Sequence, residues 1–324
     1  MDQSGADRLC SRVMGIADIT DTTQSGAEPW HFEKLALESG LNVRIARAGA
    51  VGAPMVVMLH GFPECWYSWR HQIRALSSSF DCVVPEMRGY GQTDAPRGAA
   101  NYTLDKLVGD VADLVHALGR ERAVIVGHDW GGGVAWATAL KRPEVVERLI
   151  VLNCPHLKRM SEELRHNARQ MMRSWYMAFF QLPWLPEAMF RARNFRALDR
   201  ALQGNLVRKD AITDDDLRHF HEAFRNPYSI SAAINYYRAN FRSGFMARTG
   251  TDDWIDRTIA APTMLIWGEQ DFALGKELTC NMEPLFTGPF EIDYIPSAGH
   301  WVQQEEPELV SAYMREFLKP LLAS

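Results

Sequence analysis

Residues 123–133 read AVIVGHDWGGG, and this stretch does most to decide the fold. Its first part is short, apolar and rich in β-branched side chains, which is typical of a strand buried on both faces. The spacing from Gly127 to Gly131 is that of a nucleophile elbow, a tight turn from strand to helix that exposes its central side chain. That central residue is Asp129. A simpler interpretation is that Asp129 only caps the helix that follows, which is a frequent role for aspartate.

Short apolar runs and helical patterns alternate on both sides of this stretch. Strands joined by helical crossovers predict an α/β fold with a mostly parallel, eight-stranded sheet, flanked by helices on both faces. The predicted strands are His31–Leu37, Asn42–Ala48, Met55–Leu59, Cys82–Pro85, Ala123–Val126, Arg148–Leu152, Thr263–Trp267 and Glu291–Ile295. The predicted helices are Trp66–Leu76, Leu104–Leu118, Gly131–Lys141, Leu274–Met282 and Pro307–Phe317.

One segment interrupts this alternation. Residues 157–248 contain no convincing strand, and their 16 Lys and Arg against 9 Asp and Glu give a local balance of +7. We predict a helical cap here, inserted into a core of residues 29–156 and 249–324, and a loosely held N-terminal arm over residues 1–28. The arginines are expected on solvated helix faces and in ion pairs rather than in a site for a polyanion.

The composition of the whole chain excludes several classes of protein. Of its 324 residues 47% are hydrophobic, and 35 basic against 40 acidic side chains give a net charge of −5, so disorder is not expected. That charge gives no reason to expect nucleic acid or an anionic membrane as a partner. No apolar run reaches the roughly 18 to 20 residues of a membrane-spanning helix, and the first residues lack the pattern of a signal peptide. Five scattered cysteines without metal-binding spacing predict free thiols in a reducing cytoplasm, and no metal.

Two more candidate residues follow predicted strands. Asp271 comes shortly after the strand Thr263–Trp267, and His300 comes shortly after the strand Glu291–Ile295. In a parallel sheet the carboxyl ends of the strands share one edge, where sites collect. Each residue alone has a simpler interpretation, since aspartate is common in turns and histidine in surface loops. Together they give the chain order nucleophile, acid and base, which is typical of a hydrolytic triad.

A fourth segment, His60-Gly61-Phe62-Pro63-Glu64, ends another apolar strand. The backbone N–H groups of Phe62 and Trp130 are candidates for an oxyanion hole. We expect His60 to brace this loop through hydrogen bonds rather than to take part in catalysis. Pro63 is expected to fix the loop, and a cis peptide bond before it is one way to do so.

The quoted motifs resemble a known family. HGFPECWYSWR, EMRGYGQTDAP, VGHDWGG, LIWGEQD and AGHWVQQEEP are together similar to the soluble, microbial type of α/β-hydrolase-fold epoxide hydrolase, from about Trp30 to the end of the chain. The resemblance implies the α/β-hydrolase fold with a cap. It also implies conversion of an epoxide and water to a vicinal diol without a cofactor. In that scheme Asp129 is the nucleophile, Asp271 the orienting acid and His300 the base.

The resemblance further implies two cap tyrosines that activate the epoxide oxygen. Tyr176 lies in SWYMAFFQLP and Tyr237 in INYYR, which resemble the two tyrosine motifs of the family. Without the resemblance, Tyr176 shares an i, i+3, i+4 helical face with Phe179 and Phe180 and could simply be core. For Tyr237 the competitor is its neighbour Tyr236, which points about 100° away on a helix.

The identity of the nucleophile selects the reaction. A carboxylate that attacks a saturated carbon leaves an ester, which water can hydrolyse, whereas serine would leave a stable ether. Two alternatives to an epoxide hydrolase remain open. One is a haloalkane or haloacid dehalogenase with the same aspartate, although Phe62 stands where haloalkane dehalogenases usually place asparagine. The other is a ligand receptor without catalysis on the same scaffold.

The expected substrate is a small apolar epoxide, attacked by water after the ester has formed. Aromatic residues near the cap tyrosines and the base predict an apolar pocket. We place Trp175, Phe179 and Trp301 in it. A homodimer is possible.

Overall fold

The computed structural model describes residues 28–240 and 253–323. The predicted N-terminal arm, apart from residue 28, therefore lies outside the described residues. So does the last part of the predicted cap, from residue 241 onward.

Within these ranges the chain forms one eight-stranded sheet in the order β1-β2-β4-β3-β5-β6-β7-β8. The strands are β1 His31–Ala36, β2 Asn42–Ala48, β3 Met55–Leu59, β4 Asp81–Pro85, β5 Ala123–His128, β6 Val146–Leu152, β7 Thr263–Gly268 and β8 Phe290–Ile295. Strand β2 runs antiparallel to β1 and β4, and all other neighbours are parallel. The predicted fold class is confirmed, and every predicted strand is present with ends shifted by at most two residues.

The centre of the sheet is buried on both faces. Every residue of β3, β4, β5 and β7 is buried, as the apolar runs at the centre of these strands predict. A sheet buried on both faces leaves little room for a site on either face. A site is therefore expected at the carboxyl ends of these parallel strands.

The helices are α1 Arg70–Leu76, α2 Leu104–Ala117, α3 Trp130–Lys141, α4 Leu157–His166, α5 Ala168–Arg173, α6 Trp175–Phe179, α7 Leu185–Arg191, α8 Arg196–Gln203, α9 Asp214–Ala223, α10 Ser229–Asn240, α11 Val302–Glu305 and α12 Pro307–Leu318. Among the described helices none combines the length and the apolar character needed to cross a membrane. Helices α4 to α10 follow one another between β6 and β7, where the sequence predicts the cap.

The predicted helix Leu274–Met282 is wrong. This segment contains only the short 3-10 turn Lys276–Thr279, followed by another at Glu283–Leu285. The backbone N–H of Leu274 is bound by the Asp271 carboxylate, and that of Gly275 by the side chain of Gln170. The contact with Gln170 comes from a distant part of the chain, and a helical sequence pattern does not record it.

Candidate active site

Asp129 lies at the turn between β5 and α3. Its φ of 50° is in the left-handed region, which a side chain adopts only when the surrounding structure enforces it. Two glycines allow the close approach: a Cβ on Gly131 would lie 2.1 Å from the carbonyl oxygen of Leu59, and one on Gly61 would lie 2.5 Å from the Cβ of Asp129. Asp129 occupies the N-cap position of α3, but its side chain accepts no capping hydrogen bond. The interpretation of Asp129 as a simple helix cap is therefore wrong, because its carboxylate points elsewhere.

The two carboxylate oxygens of Asp129 have different neighbours. The backbone N–H of Phe62 donates a 2.8 Å hydrogen bond to Oδ1. Oδ2 lies 3.6 Å from Nε2 of His300. Phe62 precedes a cis peptide bond to Pro63. Trp130 is the first residue of α3, next to Asp129, and its backbone N–H as a second donor stays a prediction.

His300 stands between two carboxylates. Its Nδ1 lies 2.7 Å from Oδ2 of Asp271, and both residues are almost fully buried. Asp271 is itself held firmly, because its Oδ1 accepts the backbone N–H groups of Ala273 and Leu274 at 2.7 and 2.9 Å. The three residues predicted from strand ends are thus brought together in the order Asp129, His300, Asp271.

The electrostatics of this row of side chains are strongly coupled. Burial would lower the pKa of His300, but the charge of Asp271 and the interactions with both carboxylates raise it well above 6.5. Burial would raise the pKa of Asp129, but His300, His128 and the Phe62 N–H together outweigh burial and the pKa lies below 3.8. The resting site therefore favours an imidazolium between two carboxylates.

A largely apolar cavity opens above Asp129. Tyr176 and Tyr237 both line it, and their rings are 5.9 Å apart. Burial, with the nearby charge of Asp129, raises the pKa of both phenols, so they stay protonated at neutral pH. The ring of Trp130 meets that of Tyr237 edge-on at 5.0 Å. Apolar side chains complete the lining, among them Leu104, Leu157, Met160, Met177 and Leu274.

The three aromatic residues predicted for the pocket do not line this cavity. Trp175 is 64% exposed, because on the short helix α6 it points away from the face that carries Tyr176. Phe179 packs on Trp175 and Phe180 instead. Trp301 is buried against the rings of His300 and His128. The pocket is apolar as predicted, but much of its apolar surface comes from methionine and leucine side chains rather than from these three aromatic residues.

The competing interpretation of the tyrosines is resolved by the packing of α10. Tyr236 is buried on the other side of the helix, where its hydroxyl donates to the carbonyl oxygen of Arg88 at 2.8 Å. Tyr237 is the one that faces the cavity. Two adjacent tyrosines thus have separate places, as the 100° step of a helix requires.

His60 braces the loop as predicted from its position. Its Nδ1 lies 3.0 Å from the carbonyl oxygen of Gly61, and its Nε2 accepts the backbone N–H of Met87 at 3.1 Å. Burial lowers the pKa of His60 to about 4, so the ring stays neutral. It does not face Asp129 through either nitrogen.

The sequence argument missed a buried pair, Glu64 and His128. The Glu64 carboxylate lies 2.7 Å from Nδ1 of His128 and also accepts the backbone N–H of Gly61. Nε2 of His128 lies 2.8 Å from the carbonyl oxygen of His300. Both ring nitrogens thus face acceptors, and the pair connects the Phe62 loop to the loop of the base. The signal was available, since Glu64 and His128 belong to the quoted motifs.

Asn153 was also missed. It follows β6, adopts a φ of 37°, and donates from Nδ2 to Oδ2 of Asp271 at 2.8 Å. Its Oδ1 accepts the backbone N–H of Gly268 at the end of β7. Asn153 therefore fixes the Asp271 carboxylate from the end of the neighbouring strand. No local sequence pattern predicts this contact.

Comparisons with known proteins point in one direction. The family model of the alpha/beta hydrolase fold matches residues 54–307. The chain is 37% identical over 286 residues to epoxide hydrolase 4 of Homo sapiens, and the aligned region covers 87% of this chain and 77% of that protein. It is 31% identical over 319 residues to epoxide hydrolase A of Mycobacterium tuberculosis, and the aligned region covers 89% of this chain and 98% of that protein.

Solved structures agree with the sequence matches. A crystal structure of Bacillus megaterium epoxide hydrolase in complex with an inhibitor is similar with a TM-score of 0.81 and 29% identity, over 89% of this chain and 100% of that chain. Epoxide hydrolase A from Mycobacterium thermoresistibile is similar with a TM-score of 0.78 and 29% identity, over 90% and 98% of the two chains.

Proposed function

This chain belongs to the α/β-hydrolase fold family and, within it, to the epoxide hydrolases, and we propose that it converts an apolar epoxide to a vicinal diol through an ester on Asp129. One observation carries the proposal. The carboxylate of Asp129 has one oxygen on the Phe62 N–H and the other facing His300. The cavity above it is lined by two protonated phenols.

The first step is attack by Oδ2 of Asp129 on a carbon of the epoxide. The C–O bond of the ring breaks, and the oxygen leaves as an alkoxide that needs a proton. Tyr176 and Tyr237 supply hydrogen bonds and that proton from the cap side of the cavity. Their raised pKa suits this role, because a weakly acidic phenol is well matched to a strongly basic alkoxide.

The second step is hydrolysis of the ester. Formation of the ester removes the charge of Asp129, which is one cause of the raised pKa of His300. Esterification therefore lowers the pKa of His300. The imidazolium then releases its proton, which replaces the one that the phenol gave to the alkoxide, and His300 becomes a neutral base. His300 then takes a proton from water, supported by Asp271 through the 2.7 Å contact at Nδ1.

The water attacks the carbonyl carbon of the Asp129 ester. The oxygen that becomes negative is Oδ1, which the Phe62 N–H already holds in the resting site. When this intermediate collapses, the bond between the carbonyl carbon and Oδ2 breaks, Oδ2 leaves as a hydroxyl of the diol with the proton from His300, and Asp129 is a carboxyl group again. That carboxyl returns its proton to His300, which restores the resting imidazolium and carboxylate. Trp130 would supply a second N–H from the start of α3. Removal of one such donor typically costs about 10²–10³ in rate, so the preformed contact is a substantial part of the mechanism.

Helices α4 to α10 act as the cap in this proposal. Tyr176 on α6 and Tyr237 on α10 bring the proton donors over a nucleophile that the core supplies. Cap side chains such as Met160 and Met177 also contribute apolar surface, which favours an alkyl or aryl epoxide over a polar one.

Isotope labelling tests the covalent route. In a single turnover in H₂¹⁸O with excess enzyme, we expect the diol to carry no label and Asp129 to carry it. Oδ2 leaves with the diol while the water oxygen stays on the carboxylate. Label that enters the diol directly in the first turnover would rule out the ester.

A trapped intermediate gives an independent test. The variant His300→Ala should form the ester but fail to hydrolyse it, so that the intact protein gains the mass of one epoxide. The double variant with Asp129→Ala is the matched control and should gain none. A parallel assay with styrene oxide, an aliphatic epoxide and a haloalkane separates this activity from dehalogenation, which would release halide without diol.

A further inference from the structure

Gln170 has a buried polar side chain that takes no part in the proposed reaction steps. It lies on α5 and is fully buried. A buried amide is tolerated only when its donors and acceptor find partners, because each unsatisfied group costs free energy. The partners of Gln170 therefore indicate why a glutamine is placed here.

The amide of Gln170 has three partners on two sides. Its Nε2 donates to the carbonyl oxygen of Ala273 at 2.8 Å and to the hydroxyl oxygen of Ser174 at 3.0 Å. Its Oε1 accepts the backbone N–H of Gly275 at 3.0 Å. A carbonyl can only accept and an N–H can only donate, so these contacts fix the orientation of the amide.

One side of this contact is the loop that holds the triad acid. Ala273 and Gly275 flank Leu274, and the N–H groups of Ala273 and Leu274 are the donors to Oδ1 of Asp271. Leu274 also lines the cavity. Gln170 thus fastens the loop segment that positions the Asp271 carboxylate against His300.

The other side is the start of the helix that carries a proton donor. Ser174 is the N-cap residue of α6, and Tyr176 lies two residues further on. The backbone N–H of Ser174 also donates to the carbonyl oxygen of Gln170 at 2.9 Å, so side chain and main chain fix this junction together. Ser174 is itself buried.

We propose that Gln170 is a positioning residue that couples the cap to the triad, by setting the place of Tyr176 relative to the loop of Asp271. This inference rests on the proposed function, since it assigns Tyr176 to ring opening and Asp271 to ester hydrolysis. Gln170 touches neither substrate nor reacting atom and acts only through Ser174, Ala273 and Gly275.

Two substitutions test the coupling. Gln170→Met keeps the length of the side chain and removes all three hydrogen bonds. Both the single-turnover ring opening and the hydrolysis of the ester should slow by about tenfold to a hundredfold, because small displacements at a reacting centre have effects of this size. Ser174→Ala removes only the contact on the cap side and should slow ring opening more than hydrolysis.

Gln170→Glu adds a readout that a purely structural role would not give. The new carboxylate cannot donate to the Ala273 carbonyl, whereas the protonated carboxyl can. Relative to wild type at each pH, the rates of this variant should therefore recover as the pH falls, while those of Gln170→Met should not. The charged groups near this position include Asp271, Glu277 and Arg173, and a Cβ on Gly275 would lie 2.2 Å from Oε1 of Glu277.

Gln203→Met is the control, because Gln203 bonds to the Ile212 carbonyl and to Asp214 within the cap. It should change stability but neither rate. The inference is overturned if folded Gln170→Met reacts at wild-type rates, or if the pH profile of Gln170→Glu parallels that of wild type. If Gln170→Met does not fold, Gln170→Glu at low pH and Ser174→Ala decide. Failure of the labelling experiment with wild-type protein would instead refute the proposed function itself.

Discussion

Tyr176 and Tyr237 line the same cavity as Asp129, and at the scale of single residues this arrangement gives the first prediction. Tyr176→Phe and Tyr237→Phe should each slow ring opening, because one of two hydrogen bonds to the alkoxide is lost. A proton donor contributes about 10²–10⁴ in rate, so each variant should lose roughly ten- to a hundredfold and the double variant more. The rise of the ester in rapid-mixing single turnovers measures this step.

The neighbour Tyr236 provides the matched control for these variants. Its hydroxyl donates to the Arg88 carbonyl away from the cavity, so Tyr236→Phe should change stability rather than ring opening. Equal ring-opening rates in both cavity variants and wild type would remove the donor assignment.

The second prediction at this scale concerns the titration of His300. Its pKa is raised above 6.5 in the resting site, partly through Asp129. In Asp129→Asn, a neutral imitation of the ester, that contribution disappears, so the pKa of His300 should fall. NMR titration of the ring protons measures both values. Correspondingly, hydrolysis of the isolated ester should speed up with rising pH and level off once His300 is neutral. An unchanged pKa in Asp129→Asn would contradict the proposed conversion of His300 into a base.

Some site residues could be predicted from the sequence because the sheet alone places them, whereas others are placed by packing or by contacts with distant residues. Asp129, Asp271 and His300 each follow a strand end, and a parallel sheet brings strand ends together whatever the details of packing. Trp175 was misplaced because the direction of a side chain on a five-residue helix depends on how that helix packs. The contact of Asn153 with Asp271 joins residues 118 positions apart, which one sequence does not reveal.

At the scale of elements, the turn from β5 into α3 depends on close contact between backbones. A Cβ on Gly131 would meet the carbonyl oxygens of Leu59 and His60 at 2.1 and 2.7 Å. Gly131→Ala must therefore push α3 away from β3, and overpacking of this kind typically costs about 1–3 kcal/mol of unfolding free energy. The same shift should displace Asp129 from the Phe62 N–H and lower activity. Urea unfolding and steady-state assays measure the two effects.

Gly109 on α2 is the control for this substitution, because a Cβ there meets nothing within 4 Å. In a helix interior alanine is favoured over glycine by roughly 0.5–1 kcal/mol, so Gly109→Ala should stabilise the protein. A Gly131→Ala variant as stable as wild type would contradict the packing argument.

The elements themselves were predictable to the degree that local pattern decides them. Strand β3 is a continuous apolar run, and β5 begins as one before it reaches Gly127 and His128, so both were predicted from short apolar runs bounded by loop residues. The segment Leu274–Met282 has a helical pattern, but the structure does not continue it as a helix, and its Gly275 N–H is bound by Gln170 from a distant part of the chain. This wrong prediction concerns a segment next to the triad acid. At such sites the local preference of a sequence for a helix is often overridden by the geometry that the site requires.

At the scale of the whole molecule, Glu64 connects three segments that are far apart in sequence. Its carboxylate accepts the N–H of Gly61 at 3.0 Å, lies 2.7 Å from Nδ1 of His128, and accepts the side-chain amides of Gln303 and Gln304, each at 2.9 Å. The Phe62 loop, the end of β5 and helix α11 are thereby held around one buried charge. Such a group stabilises the arrangement only while all its partners are present.

Glu64→Ala should therefore be among the most damaging single substitutions. It leaves three donors and the His128 ring without their acceptor, and removal of one partner from a buried ionic network typically costs about 3–5 kcal/mol. Glu121→Gln is the control, because Glu121 is exposed and a substitution there should stay within about 0.5 kcal/mol. Urea unfolding gives both values, and activity of the folded fraction should also fall, since His128 supports the carbonyl of His300. A Glu64→Ala protein with wild-type stability would mean that the three segments are held together without this carboxylate.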